Sequence, residues 1–246
     1  MRSCLGDITA AAQMLGRRIS DEKGLEYLSA LNRGAVRLLR ALQQQELARR
    51  LQAEDAAVSL AHVDLVELCR RVCKESGELL AEIGIRVELH TELDALLTTG
   101  EEELLEHMLL TLISNGAKAA GEDGTVRIGL RLFENDALLT VGDRGERMDE
   151  RALDVMGAEK NIVPDLRPEA GAGGGLALAR QIAILHGGAL VARFPLGGGT
   201  RVVVSLPIRT GEALGLEGPR LPDSGYSRSL VELSDVLPAR LFLPER

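Results

Sequence analysis

The chain has 246 residues, 45% of them apolar, which is room for one ordinary domain and a smaller one with a real core. A formal charge of −8 and five aromatic residues (Tyr27, Phe133, Phe194, Tyr226, Phe242) exclude nucleic acid as the expected ligand, because neither phosphate neutralisation nor base stacking is provided for. No apolar run approaches the ~18 residues of a membrane span, the start MRSCLGDITAAAQ lacks the profile of a secretory signal, and three cysteines without an export signal suit reduced thiols, so the expectation is a soluble, cytoplasmic protein.

From Leu5 the apolar residues Ile8, Ala12, Leu15 and Ile19 recur at alternating three- and four-residue steps. ISDEKG interrupts, and Leu28, Leu31, Ala35, Leu38 and Leu42 repeat the steps, which predicts a helical hairpin. Its seam is narrow, and two antiparallel helices bury too little of it, so a homodimer closing a four-helix bundle is its natural completion. The alternative is a hairpin packed on its own sheet domain. After ARRLQAED, Asp64 followed by Glu67 has the spacing of a capped start for the helix DLVELCRRVCKESGELLAEI. Cys69 and Cys73 lie four apart on that helix with His62 nearby; no fourth metal ligand is found, and buried thiols on an apolar face are the better reading.

IRVELH and ALLTT read as strands, a helix follows from about Glu101 to Ala120, and VRIGLRLF and ALLTVGD read as a strand pair across END. A glycine run then opens an amphipathic helix, GAGGGLALARQIAILHGG, and ALVARF and RVVVSLP close a mixed α/β layer. These elements divide the chain into a hairpin over 1–53, an α/β domain over 60–208, and a Gly/Pro-rich linker and tail over 209–246. The tail, ending SLVELSDVLPARLFLP, reads as a docking segment or an added strand.

Three of these stretches together describe a nucleotide pocket. In LLEHMLLTLISNGAKAAG, Thr111, Asn115 and Lys118 share one helix face. The amide oxygen of Asn115 suits Mg²⁺ held through ATP phosphates, and Lys118 adds a point charge toward them. Read alone, Asn115 and Gly116 could equally help end the helix. In VGDRGERM, the carboxylate of Asp143 can accept from an exocyclic amine such as adenine's, Gly145 lets the backbone approach the base, and Met148 offers a flexible wall. Alone, Asp-Arg-Gly is more often an ordinary turn. Gly171, Gly173, Gly174 and Gly175 precede a helix whose free N–H groups can meet a triphosphate, and the stretch from Met156 to Ala172 reads as a lid. Thr200, after Gly197, Gly198 and Gly199, can add a hydroxyl contact, with a glycine-rich hairpin turn as the equally good alternative.

These boxes resemble the N box and glycine boxes of the histidine-kinase ATP-binding domain, and residues 1–51 resemble the dimerisation and phosphoacceptor hairpin that precedes it. The resemblance implies a layered α/β sandwich following the hairpin, ATP and Mg²⁺ as cofactors, and phosphoryl transfer to a histidine and on to a response regulator receiver domain. It places Asn115 at the metal ligand, Asp143 at adenine with Gly145 beside it, and Gly171, Gly173 and Gly175 where the lid meets the phosphates. The chain departs at Arg147, Thr111 and Gly174, which stand where glycine, asparagine and leucine are usual, and the lid lacks the usual phenylalanines. His62, His90, His107 and His186 all lie outside the hairpin, and His107 and His186 are expected to be structural. By motif alignment the acceptor falls about two positions before Met1.

Three functions follow in order. The first is the catalytic core of a histidine autokinase. The second is an ATP-binding regulator without kinase chemistry, acting on a partner protein. The third is an ATP hydrolase; it ranks last, because Thr111 stands where a general-base glutamate is required one turn before Asn115, and a hydroxyl is a poor base at neutral pH.

Overall fold

The computed structural model describes residues 2–52, 60–143, 173–193, 199–209 and 226–243. Two antiparallel helices open the chain, α1 (Arg2–Gly16) and α2 (Glu22–Leu51). The break between them is local chemistry: the Asp21 carboxylate accepts the Gly24 N–H at 2.9 Å and caps α2. Ala12, Leu28 and Ala35 of the predicted stripe are buried, whereas Ile8, Leu15, Leu31 and Leu38 remain 43–49% exposed. Half of the seam is therefore covered within one chain and half is not.

A short strand β1 (Ala61–Asp64) leads into α3 (Leu65–Ala81). Asp64 accepts from the N–H groups of Val66 and Glu67, the predicted cap, and also from Leu96 at 3.0 Å, which ties the helix start to a loop thirty residues on. Burial alone would raise the Asp64 carboxyl; these three donors outweigh it and hold the group below its ordinary value. Cys69 and Cys73 face the core from α3, where burial pushes both thiols up to about 12, so they pack as small apolar groups.

Next come β2 (Arg86–His90), β3 (Leu97–Gly100), α4 (Glu102–Ala120), β4 (Thr125–Phe133) and β5 (Asp136–Gly142). The chain continues through α5 (Gly173–Leu185), β6 (Ala189–Arg193) and β7 (Arg201–Pro207). β1 and β3 form a separate antiparallel pair, and the main sheet runs β2-β4-β5-β7-β6. Among the described strands only the β2–β4 pairing is parallel. Alternation along β4, β5 and β7 points Val126, Ile128, Leu130, Ala137, Leu139, Val141, Val202, Val204 and Leu206 toward one face. Helices α3, α4 and α5 pack on that face and share one apolar core with it. The result is an N-terminal helical hairpin followed by an α/β sandwich, the expected fold class.

Among its described residues the tail adds no strand. It forms a short helix α6 (Arg228–Glu232), capped by the Ser227 hydroxyl accepting from Leu230 N–H, and a 3-10 turn at Ala239–Phe242. Val231, Leu233, Leu237 and Phe242 are buried against α2, α3 and α4, so the tail is a docking segment.

Candidate nucleotide site

The helix that carries Asn115 does not end there. α4 continues to Ala120 and stops at Gly121, whose φ of +69° favours a residue without a side chain. Asn115 and Gly116 are therefore mid-helix, and the helix-ending alternative for them is ruled out. Gly116 has its own reason: a Cβ there would stand 3.1 Å from Val126 Cγ1, so its absence lets α4 sit close on β4.

α4 and α5 lie side by side, and their closest approach joins two sequence boxes. A Cβ on Gly175, in the first turn of α5, would meet Thr111 Cγ2 at 3.0 Å. Thr111 is fully buried beneath that glycine. Asn115 follows one helical turn later on the same stripe of α4, about 6 Å along the axis, and is only half-buried. The free N–H groups at the start of α5, beginning at Gly173, lie at that junction.

The second meeting point is the end of the sheet. Asp143 leaves β5 beside the residue that enters β7: its N–H donates to Thr200 O at 3.0 Å, and its Oδ1 accepts the Thr200 N–H at 3.4 Å. Thr200 is buried and Asp143 half-buried. A strand end thus carries a carboxylate whose direction is set by main-chain bonds.

Lys118 is placed differently from the expectation for a phosphate contact. Its Nζ pairs with Asp235 Oδ2 at 2.9 Å, in the tail. Asp235 also takes Arg37 at 2.8 Å and Arg40 at 2.6 Å from α2. Burial opposes ionisation of Asp235, yet Lys118, Arg40 and Arg37 together hold its carboxyl down to about 2. One turn before, the buried Glu232 binds Arg40 Nε at 2.9 Å and His107 Nδ1 at 3.2 Å. Its burial penalty is likewise outweighed by His107 and Arg40, and its carboxyl also lies at about 2. His107 is thus structural, as expected. So is His186: one ring nitrogen lies 2.8 Å from Ile182 O, the other accepts the Glu101 N–H at 3.1 Å, and burial lowers its pKa. Nothing local in the sequence marks the Glu232–Asp235 cluster, since its partners lie more than a hundred positions away on α2 and α4.

Gly145, Met148, Gly171 and Arg147, together with the lid stretch 156–172, lie outside the described residues. Among the described ones, the structure gathers Asn115, Gly175 and the α5 start at one junction and Asp143 with Thr200 at one sheet end. An amide oxygen, a fixed carboxylate and free helix N–H groups are the donor set that a magnesium nucleotide requires: a hard neutral ligand, an acceptor for an amine and an anion cradle.

Residues 100–210 match the sequence profile of the family described as "Histidine kinase-, DNA gyrase B-, and HSP90-like ATPase". Sporulation kinase D of Bacillus subtilis (strain 168) is 22% identical over 209 residues, 85% of this chain and 40% of that protein. Sensor histidine kinase RppB of Synechocystis sp. is 28% identical over 221 residues, 85% of this chain and 47% of that protein. Histidine protein kinase DivJ of Caulobacter vibrioides is 31% identical over 134 residues, 50% of this chain and 22% of that protein. The chain therefore spans less than half the length of these curated relatives. Among solved structures, full-length ShkA in complex with AMPPNP is similar with a TM-score of 0.68 at 25% identity, covering 87% of this chain and 45% of that one. ThkA in complex with response regulator TrrA has a TM-score of 0.58 at 18% identity, over 82% of this chain and 56% of that one, which shows a common fold.

Proposed function

We propose that the chain is the ATP-binding catalytic core of a two-component sensor kinase: residues 100–210 match the histidine kinase-, DNA gyrase B- and HSP90-like ATPase profile, and the similar proteins include a sporulation kinase and sensor histidine kinases. The observation that carries the reading is the junction of α4 with α5 through Thr111 and Gly175, which brings Asn115 and an anion-seeking helix start into one place. Bound MgATP supplies the transferable γ-phosphoryl group. Asn115 offers its amide oxygen to the metal, Asp143 accepts from the adenine amine, and the first N–H groups of α5, with Gly171, Gly173 and Gly175, receive phosphate oxygens. Thr200 fixes Asp143, Gly145 and Met148 bound the base, and Lys118 adds positive charge. Catalysis is then positioning and charge neutralisation, the main terms in phosphoryl transfer. The acceptor is a histidine imidazole, and the group passes on to an aspartate of a response regulator receiver domain. The exposed half of the hairpin seam supports a homodimer.

One observation favours a second reading. Residues 1–51 contain no histidine, so an acceptor imidazole has to reach this domain from outside that span. If none does, the chain is an ATP-binding regulator of a partner protein. Titration of a fluorescent ATP analogue with and without Mg²⁺ tests the pocket that both readings require. Supplying an isolated phosphoacceptor hairpin and labelled ATP separates them: transfer of label favours the kinase, binding without transfer the regulator.

A further inference from the structure

The tail binds both halves of the molecule at once. From α2, Asn32 Nδ2 donates to Phe242 O at 2.9 Å, and Arg37 and Arg40 reach Asp235. From α4, Lys118 reaches Asp235, and His107 reaches Glu232. Arg228 of the tail answers Glu103 at 2.7 Å and Glu106 at 2.9 Å, both also on α4. Asp235 alone therefore joins two cations of the hairpin to one of the nucleotide-site helix. Thr111, Asn115 and Lys118 share a stripe on α4, and the Lys118 side chain is about one-third exposed in its present pair.

We propose that residues 226–243 form a strap fastening the hairpin to α4, and that Asp235 competes with nucleotide phosphates for Lys118, so that strap docking and nucleotide binding oppose one another. The inference rests on the reading of Lys118 as a phosphate contact. Asp235 and a triphosphate would draw on the same single positive charge; to the extent that the Lys118 ammonium turns to the phosphates, Asp235 loses one of its three cations. The strap then keeps Arg37 and Arg40 on the hairpin side, and on α4 the His107–Glu232 pair and the Arg228 pairs with Glu103 and Glu106. The link is reciprocal: strap docking weakens nucleotide binding by the same factor by which bound nucleotide weakens strap docking.

Two measurements test it. The fluorescent ATP analogue with Mg²⁺ should bind Asp235→Asn about twofold to fivefold tighter than the unmodified chain, the range of a partly exposed ion pair. In the unmodified chain, saturating MgATP should speed amide hydrogen exchange in 226–243 by a similar factor, and should leave α3 unchanged. Unchanged or weaker affinity in Asp235→Asn together with slower or unaltered tail exchange would overturn the strap while leaving the ATP pocket standing. Absence of nucleotide binding in both proteins would overturn the pocket and the strap with it. The exchange measurement needs no substitution, so a poorly folding variant leaves the question decidable.

Discussion

Asp143 and Thr200 hold each other through main-chain bonds on both sides: one backbone N–H goes out from Asp143 to the Thr200 carbonyl, and the Thr200 N–H returns to the Asp143 carboxylate. Because both bonds use the Thr200 main chain, Thr200→Ala should leave the carboxylate's direction intact. Asp143→Ala removes the acceptor itself. Competition of ATP and GTP against a fluorescent analogue should show discrimination falling about tenfold or more in Asp143→Ala, the size of one charge-assisted hydrogen bond, and nearly unchanged in Thr200→Ala. Equal discrimination in wild type and Asp143→Ala would remove Asp143 from the base site.

Gly175 and Thr111 give a test with a built-in rescue. A methyl group on Gly175 meets Thr111 Cγ2 at 3.0 Å, closer than side chains normally stand, and Thr111 is fully buried with no room to retreat. Gly175→Ala should destabilise the domain by about 1–3 kcal/mol. Thr111→Ser removes the offending methyl, and the double variant should recover much of that loss in a denaturant midpoint, since the two residues touch. Additive effects would mean that α4 and α5 are not in contact there.

Leu38 lies on the half of the seam that the chain leaves open. Leu38→Asp puts a charge at the centre of a bundle interface, so the mass by light scattering should fall to that of one chain while nucleotide binding persists. A wild type that is already monomeric at high concentration would assign the hairpin to its own domain alone.

Glu232 and Asp235 set an acid limit for the tail. Their folded values lie at about 2, below the ordinary values of 4.5 and 3.8. A depressed carboxyl stabilises fully above its unfolded value and loses that contribution as pH falls through the folded one. Tail protection measured by hydrogen exchange should therefore hold at pH 5 and above and decline between about pH 4 and pH 2. Glu232→Ala leaves Arg40 buried without that partner, and should cost about 3–5 kcal/mol, read from chemical denaturation at neutral pH.

Local rules made much of this molecule legible. The interruption at Asp21, the cap at Asp64 and the two-residue alternation of β4, β5 and β7 all act within a few positions, and each element stands where the sequence places it. β1 was not legible: four residues with only Val63 buried show no period, and the strand exists because Leu97–Gly100 pairs with it. The tail was undecided between docking and a strand for the same reason. Its helix has five residues, too few to declare itself, and its bonds to Asn32 and Arg40 span the whole chain. Spacing placed Asn115 and Gly175, because helix geometry decides which face they occupy. It could not place Lys118, since a charge does not name which of several carboxylates it will meet.

Two ion-pair grips set well apart along the hairpin helix α2 hold it to the rest of the protein. Near its middle Arg40 grips the tail, and at its last turn Arg50 holds Glu101, at the start of the asparagine helix, at 2.8 Å. Ten residues separate the two grips, about 15 Å along the axis. Held at points this far apart, with one grip shared with Lys118 near the end of α4 and the other on Glu101 at its start, α2 has its tilt against the asparagine helix fixed as well as its distance.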